Sequence, residues 1–519
     1  MPAFENTVQK GSDLLQRMTK QDQAVVAAVT LTAVATAIYA TRAGTSRKRK
    51  FHFLQNLPPY VSADTAIDGV TYHTDPRKWT EKVTEQYGGT FRTDAIGRET
   101  IVVSRELARE VFLTDGLSFT RAVEDFTDVL GMFGIKDRRR YDHSGRFVTM
   151  NLTPNLKNFT KRVNVQLNIV LDRWLGDLKE PKVIGHLFPF VQSMVSKAST
   201  CIFLGDEMCN NDELVASCGD VTKDVGQLLR RNWWTKTFPT LNSWYQRYIF
   251  PNTAAVQKHR KIADQFIAPE IEKRLRLEQD ATWKRPDDLL QKLIDAHPAS
   301  EDYGVPYAQY IINWVFVLVF ASIHTTTDNT TAVLYWLMKH PEYIDELRKE
   351  QEEVLEQEGT KGSDLELTFD AVKKMAKLDS FTREVLRLRT QDIMFTHKNI
   401  SNRDVEMSNG TIVPPGTYIT LNTWDISFNP DLQGDNVDDF QPWRFLGSNR
   451  QAVKIGEDHL TFGIGKHACP GRFFAVQEIK TIVSLLISKY NMTAATEITL
   501  PTTFRSMAMG AVKFEKRTA

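Results

Sequence analysis

From Ile311 to Phe320 the chain is nearly all apolar, and helical periodicity continues through Leu334 and Leu337 to His340, just before Pro341. This reads as one long helix buried on every side. Such a helix has to be wrapped by others, because only burial keeps that much apolar surface from water. The material is there: 519 residues, 42% of them hydrophobic, are ample for a large packed core. Helical patterns dominate from Arg105 to about Leu388. Ahead of them, Phe91 to Val103 carries β-branched residues on either side of a turn at Ile96 and Gly97 and reads as a hairpin. From about Ile400 onward, Gly410, Pro414, Pro415, Gly416, Asn429 and Pro430 punctuate short extended runs and loops. The expected class is mainly α with small β-sheets (α+β), without internal repeats or low-complexity tracts.

Lys and Arg total 65 against 64 Asp and Glu, so no overall field draws this chain onto nucleic acid. Four cysteines, Cys201, Cys209, Cys218 and Cys469, are too few and too irregularly spaced for a disulfide framework or a zinc ribbon, which points to a reducing compartment. Residues 24–40 form an uncharged apolar run followed by Arg42 and by the cluster Arg47 to Lys50. As a helix this run would span roughly 25 Å, near the thinner bilayer of the endoplasmic reticulum. Three threonines dilute it, and a cleaved signal peptide is the rival reading, since Ala35, Thr36 and Ala37 supply small residues. The basic cluster after the run places the bulk of the chain in the cytoplasm by the positive-inside rule. The expected organisation is a lumenal segment 1–23, a single transmembrane anchor 24–40, a basic linker 41–60 ending in the stiff Leu57-Pro58-Pro59-Tyr60, and one catalytic domain 61–519.

Cys469 stands alone in the stretch Phe462-Gly463-Ile464-Gly465-Lys466-His467-Ala468-Cys469-Pro470-Gly471-Arg472. The glycines permit a tight loop that aims backbone N–H groups at the sulfur, which favours the thiolate and tunes any iron it binds. The pattern Phe-x-x-Gly-x-x-x-Cys-x-Gly resembles the haem-binding loop of the cytochrome P-450 monooxygenases, with every fixed position present. The resemblance implies the P-450 fold, a haem b (iron protoporphyrin IX) cofactor, Cys469 as axial ligand of the iron, and Phe462 and Gly465 as parts of the haem-binding loop. A thiolate so placed primes haem for O–O cleavage.

Two further stretches extend the resemblance. Glu384 and Arg387 form a Glu-x-x-Arg pair on one helix face. Pro442-Trp443-Arg444-Phe445 is similar to the family's downstream Pro-x-Arg-Phe segment, so Arg444 would complete a triad with them. Such a network is costly to bury and is better explained as fixing the haem-side architecture than as adding stability. On the long helix, Ala321 to Thr326 falls where the family has Ala/Gly-Gly-x-Asp/Glu-Thr-Thr, with Ser322 and His324 departing from it. Thr325 would donate protons toward bound oxygen. His324, in the acid's place, can relay protons without carrying a carboxylate's charge. Hydroxyls inside a helix can also bond back to the preceding carbonyls and bend it.

Haem propionates need cationic partners. The resemblance gives His467 that role, with His397 and Lys398 as further candidates after the Glu-x-x-Arg helix. The family's Trp-x-x-x-Arg clamp has a counterpart here only in the spacing from Asp142 to Arg146, without the tryptophan. Trp233, Trp234, Phe238, Trp244, Tyr245 and Tyr248 fall where family members have a membrane-facing entry loop, and ordinary core packing explains them equally well. The chain shows no Gly-x-Gly-x-x-Gly loop, so electrons would come from NADPH through a membrane-bound NADPH-cytochrome P-450 reductase. Arg138, Arg139, Arg140 and Lys466 would offer that partner a basic face.

The expected function is therefore a single-pass monooxygenase of the endoplasmic reticulum membrane inserting one oxygen atom from O2 into a hydrophobic substrate. The Ala-x-Ile-His-Thr-Thr sequence resembles fungal members of the family, many of which oxidise terpenoids or related secondary metabolites. Two alternatives stay open: an isomerase or peroxygenase of the same fold working without reductase, and a non-catalytic haem-thiolate gas-binding protein.

Overall fold

In the computed structural model, which describes residues 57–137, 141–228, 239–358, 367–390, 393–500 and 507–517, the apolar run is one unbroken helix, Tyr307–Lys339. Its 33 residues reach roughly 50 Å at about 1.5 Å per residue. It stops where His340 leaves helical geometry at φ −130°, and Pro341, which lacks an N–H, opens a short separate turn. Ile311 to Val319 are all buried, wrapped by the helices Leu187–Leu204, Asp212–Leu228, Ala254–Leu277 and Arg472–Lys489. Asn313, the one polar residue of that stretch, accepts from Arg260 Nη1 at 2.9 Å, so its burial leaves no oxygen unpaired. Among the described residues, two helices, Leu187–Leu204 and Tyr307–Lys339, are long and apolar enough to cross a membrane, and both are mostly buried within the fold. The segment 1–23, the anchor 24–40 and the linker as far as 56 lie outside the described residues, as do Arg138, Arg139 and Arg140.

Ten strands occur among the described residues: β1 (Phe91–Thr93), β2 (Thr100–Val103), β3 (Leu117–Ser118), β4 (Lys182–Ile184), β5 (Ile393–Asn399), β6 (Val405–Glu406), β7 (Ile412–Val413), β8 (Tyr418–Asn422), β9 (Tyr490–Ala494) and β10 (Val512–Lys516). β1 and β2 form the expected hairpin, turning at Gly97, whose φ of +82° suits a residue without a Cβ. The main sheet runs β1-β2-β8-β5-β3, with β2 and β8 parallel and the other pairs antiparallel. A second sheet, β4-β10-β9, and the β6-β7 hairpin complete the β content. From Pro59 onward the described residues form one compact unit.

The reading of everything after Ile400 as loops and extended runs needs correcting. Arg472–Lys489 is an 18-residue helix in which Glu478, Lys480, Thr481 and Ser484 are buried along with the apolar residues. A helix enclosed on all sides has no polar face to betray its period. Helices dominate from Arg105 to Leu388 as expected, with only the short strands β3 and β4 among the described residues between them.

Candidate active site

The loop around Cys469 is shaped by backbone. Gly463 and Gly465 take φ of +68° and +62°, and a Cβ on Gly465 would stand 3.1 Å from a methyl of Leu113. The short turn Gly465–His467 then doubles the chain back, so that the Cys469 N–H donates to the Phe462 carbonyl at 2.7 Å. The backbone N–H groups of Gly471 and Arg472 face the sulfur. Arg472, which the sequence left without a role, locks the loop by donating to the Cys469 carbonyl at 2.9 Å and the Val453 carbonyl at 3.2 Å. Burial pushes the Cys469 thiol up, while those N–H groups and the Arg472 guanidinium pull it down. A sulfur in this balance becomes a thiolate once a metal ion supplies the positive charge. Phe462 packs its ring 6.5 Å from that of His459.

Glu384, Arg387 and Arg444 meet in one buried network. Arg387 grips Glu384 with two bonds of 2.8 Å each. Arg444 Nε lies 3.1 and 3.2 Å from the two carboxylate oxygens, and the Gln441 N–H adds a bond of 3.0 Å. The remaining guanidinium donors go to main-chain carbonyls of the loop leading to Cys469: Ser427 and Val437 for Arg387, and Gln433, Asp435, Asn436 and Asp439 for Arg444. The pair sits on the helix Ala376–Arg389, and its charges hold an otherwise irregular loop to a regular element.

On the long helix, Ala321 and Thr325 are exposed although the helix is buried for most of its length, so its wrapping is interrupted there. Thr325 Oγ1 donates to the Ala321 carbonyl at 2.9 Å, and Ser322, Thr327 and Thr330 bond back in the same way. The helix continues unbroken through all four. His324 turns its ring edge-on to Phe188 at 5.5 Å. One turn further on, a brace joins this helix to the cysteine loop. Asn329 donates to the Thr325 carbonyl at 2.9 Å, and the buried Arg389 bonds Asn329 at 2.7 Å and Asp328 at 2.6 Å. The adjoining Thr390 hydroxyl meets that of Thr461, beside Phe462, at 3.3 Å. None of Asp328, Asn329 and Arg389 was marked by any local pattern, because their pairing is made by packing of two distant helices.

Strand alternation separates the two candidates on β5. His397 is fully buried: Nδ1 bonds the Phe395 carbonyl at 2.8 Å, Nε2 has no hydrogen-bond partner among the described residues, and burial holds the ring down at about 4. Its ring is 6.0 Å from that of His467. Lys398, the other propionate candidate, points to the opposite face, where it pairs with Asp125 beside Tyr418. Arg146 is exposed on the helix Tyr141–Asn151, whose Gly145 lies against Pro470 of the cysteine loop. An orphaned, buried imidazole nitrogen facing a second histidine, near a backbone-caged cysteine, fits a prosthetic group that brings both a metal and anionic carboxylates.

A cavity of about 580 Å3 opens beside this pair, walled by Phe119, Val123, Phe126, Ile393, Phe395 and Thr396. Phe119 is shared, its ring 5.5 Å from His397 and 5.7 Å from His467. Phe395 sits at the bulge in β5 with φ +62°, a left-handed backbone that is a genuine outlier for an aromatic residue. No sequence signal marks it, since the strain arises from register with β8. Trp244 and Tyr248 are exposed together with Leu241 and Ile249, whereas Tyr245 packs against the core; Trp233, Trp234 and Phe238 lie outside the described residues.

Comparison with known proteins places these features in context. A cytochrome P450 monooxygenase of Emericella nidulans is 29% identical over a stretch covering 66% of this chain and 64% of that protein. One of Penicillium canescens is 31% identical, covering 66% and 63%. One of Penicillium janthinellum is 25% identical, covering 75% and 74%. The chain thus spans just under two thirds of the length of the first two. Among solved structures, retinoic acid bound cyanobacterial CYP120A1 has the same fold, with a TM-score of 0.64 at 20% identity over 89% of this chain and 100% of that one. The family model for cytochrome P450 matches residues 67–517. A match that begins before β1 and ends beyond β10 makes this chain a member of the cytochrome P450 family.

Proposed function

We propose that the chain is a haem-thiolate monooxygenase that inserts one oxygen atom from O2 into a hydrophobic substrate. The observation that carries this is the Cys469 loop, whose glycine-set backbone directs two N–H groups at a half-buried cysteine's sulfur. Haem bound there supplies oxygen activation and the oxidising power. Cys469 ligates its iron, and the Arg472 bonds keep the sulfur from swinging away. His397 and His467 hold the propionates, with Arg146 reaching from the neighbouring helix. Thr325 bonds its hydroxyl proton back to the Ala321 carbonyl and presents its oxygen on the exposed stripe of the long helix, where it would accept and pass on protons. Phe119, Val123, Phe126 and Phe395 exclude water and hold an apolar substrate beside the site.

The substrate class we favour is a terpenoid or related secondary metabolite, on the Ala-x-Ile-His-Thr-Thr resemblance and the aromatic walls of the cavity. NADPH would supply electrons through a partner reductase, with the chain anchored in the endoplasmic reticulum membrane and the exposed Leu241, Trp244, Tyr248 and Ile249 against its surface. His324 stands where the family has an acid, and this favours, as second reading, peroxide-driven or isomerising chemistry without reductase.

The test is the carbon monoxide difference spectrum of the reduced protein. The wild type is expected to give the strongly red-shifted thiolate-type Soret band and Cys469→Ala to lose it. An unchanged spectrum in the variant would sink the assignment. NADPH-dependent turnover of an apolar substrate with reductase separates the first reading from the second, and gas binding without any product would leave only a sensor.

A further inference from the structure

The helix Leu187–Leu204 ends at Gly205, φ +93°, and the chain reverses through Asp206 into the short turn Met208–Asn210. The reversal brings the thiols of Cys201 and Cys209 together with the Asp206 carboxylate. Their ligand atoms all lie within 4.8 Å of one another, and Cys201 Sγ is 3.1 Å from Asp206 Oδ1. Both cysteines are buried and unbridged, while Asp206 is exposed. We propose that Cys201, Cys209 and Asp206 form a binding site for a soft divalent cation of the zinc class, with water as fourth ligand.

The donor set chooses the ion. Two thiolates disfavour magnesium and calcium, which want oxygen, and suit a tetrahedral zinc-like ion. With bonds of about 2.3 Å to sulfur, such a site needs its sulfurs roughly 3.8 Å apart, within reach of side-chain rotation here. Two thiolates and a carboxylate around a dication leave one net negative charge. Two cations adjoin it: Arg162 Nε bonds Asp206 Oδ1 at 2.9 Å and its Nη2 the Cys201 carbonyl at 2.9 Å, while the buried Lys197 donates to the Cys209 carbonyl. Such neighbours orient the ligands and balance their charge. Asp206 Oδ2 makes no hydrogen bond among the described residues and gives the ion its way in from solvent. Binding displaces the two thiol protons to water. The ion would staple the end of a core helix to the turn that follows it, and the site shares no residue with the haem pocket.

The experiment strips full-length, haem-loaded protein of metal with a chelator, offers zinc ion alone and weighs the intact complex by native mass spectrometry. The expected result is one zinc more in the wild type than in the Cys201→Ser, Cys209→Ser double variant, with equal haem content and an unchanged carbon monoxide spectrum. Asp206→Asn, an exposed change that leaves the core alone, is expected to weaken zinc binding at least tenfold, and decides the matter should the double variant not fold. Equal zinc uptake by the wild type and the variants would overturn the proposal. So would an intact mass two hydrogens light with Cys201 and Cys209 in one cross-linked peptide, which would make the pair a disulfide.

Discussion

Thr325 engages its hydroxyl proton with the Ala321 carbonyl, which leaves the oxygen lone pairs turned toward the exposed side of the helix. If that oxygen passes protons on, Thr325→Ala should go on consuming NADPH while product per NADPH falls roughly tenfold or more, and Thr325→Ser should keep coupling intact. Measured side by side, product and NADPH decide it; tight coupling in the alanine variant removes Thr325 from the proton path. His397 makes a sharper demand. With Nδ1–H on the Phe395 carbonyl, Nε2 can donate to a propionate only as imidazolium, yet burial holds the ring at about 4. Haem uptake should therefore take up a proton at His397. Haem affinity is expected to rise as pH falls from 8 to 6 more steeply in the wild type than in His397→Leu. The variant should also release haem about 10- to 100-fold faster, the worth of one charge-assisted hydrogen bond. Transfer of haem to an excess of apo-acceptor reads both, and parallel pH curves would exclude the role.

At the scale of elements, the helix Ala376–Arg389 ties the haem-side loop to the core through charges that have no other outlet. Glu384→Gln leaves Arg387 and Arg444 buried without their anion, at a cost of about 3–5 kcal/mol. Chemical unfolding of the haem-loaded variant should show that loss; a change below about 1 kcal/mol would mean the backbone carbonyls alone satisfy both guanidinia. This network was legible in the sequence, because a Glu-x-x-Arg spacing already puts both groups on one helix face and the Pro-x-Arg-Phe segment supplies the third. The cysteine loop was legible for a like reason: glycines flanking one cysteine specify a backbone path. The brace of Asp328, Asn329 and Arg389 was not, since it is written in two stretches of chain that carry no shared spacing. Lys398 shows the same limit in small. Adjacent strand residues look equivalent in a list and face opposite ways in a sheet.

For the molecule as a whole, the long apolar helix announced the architecture, and the enclosed Arg472–Lys489 helix escaped notice because burial on all sides erases the period by which helices are read. The three cysteines near position 200 looked too scattered to matter until Gly205 folded two of them together. Burial on this scale also sets how the fold answers to pH. His459 lies fully enclosed near Arg383 and Arg450, and burial first, then those charges, keep its ring neutral. The unfolded chain accepts a proton there near pH 6.5 that the folded chain refuses, so this contribution is complete above pH 6.5 and is lost as pH falls below it. Between pH 7.5 and 5.5 the wild type should lose on the order of 1 kcal/mol more stability than His459→Leu. Unfolding curves at the two pH values settle it, and equal losses would show that the ring is already charged in the fold. The left-handed Phe395 has a longer reach. Glycine there would relax the backbone by about 1–2 kcal/mol and at the same time remove the ring that narrows the cavity. Shape and stability are thus opposed at this one position: the ring that narrows the cavity is held at a conformational cost, and any change that relieves the cost widens the space.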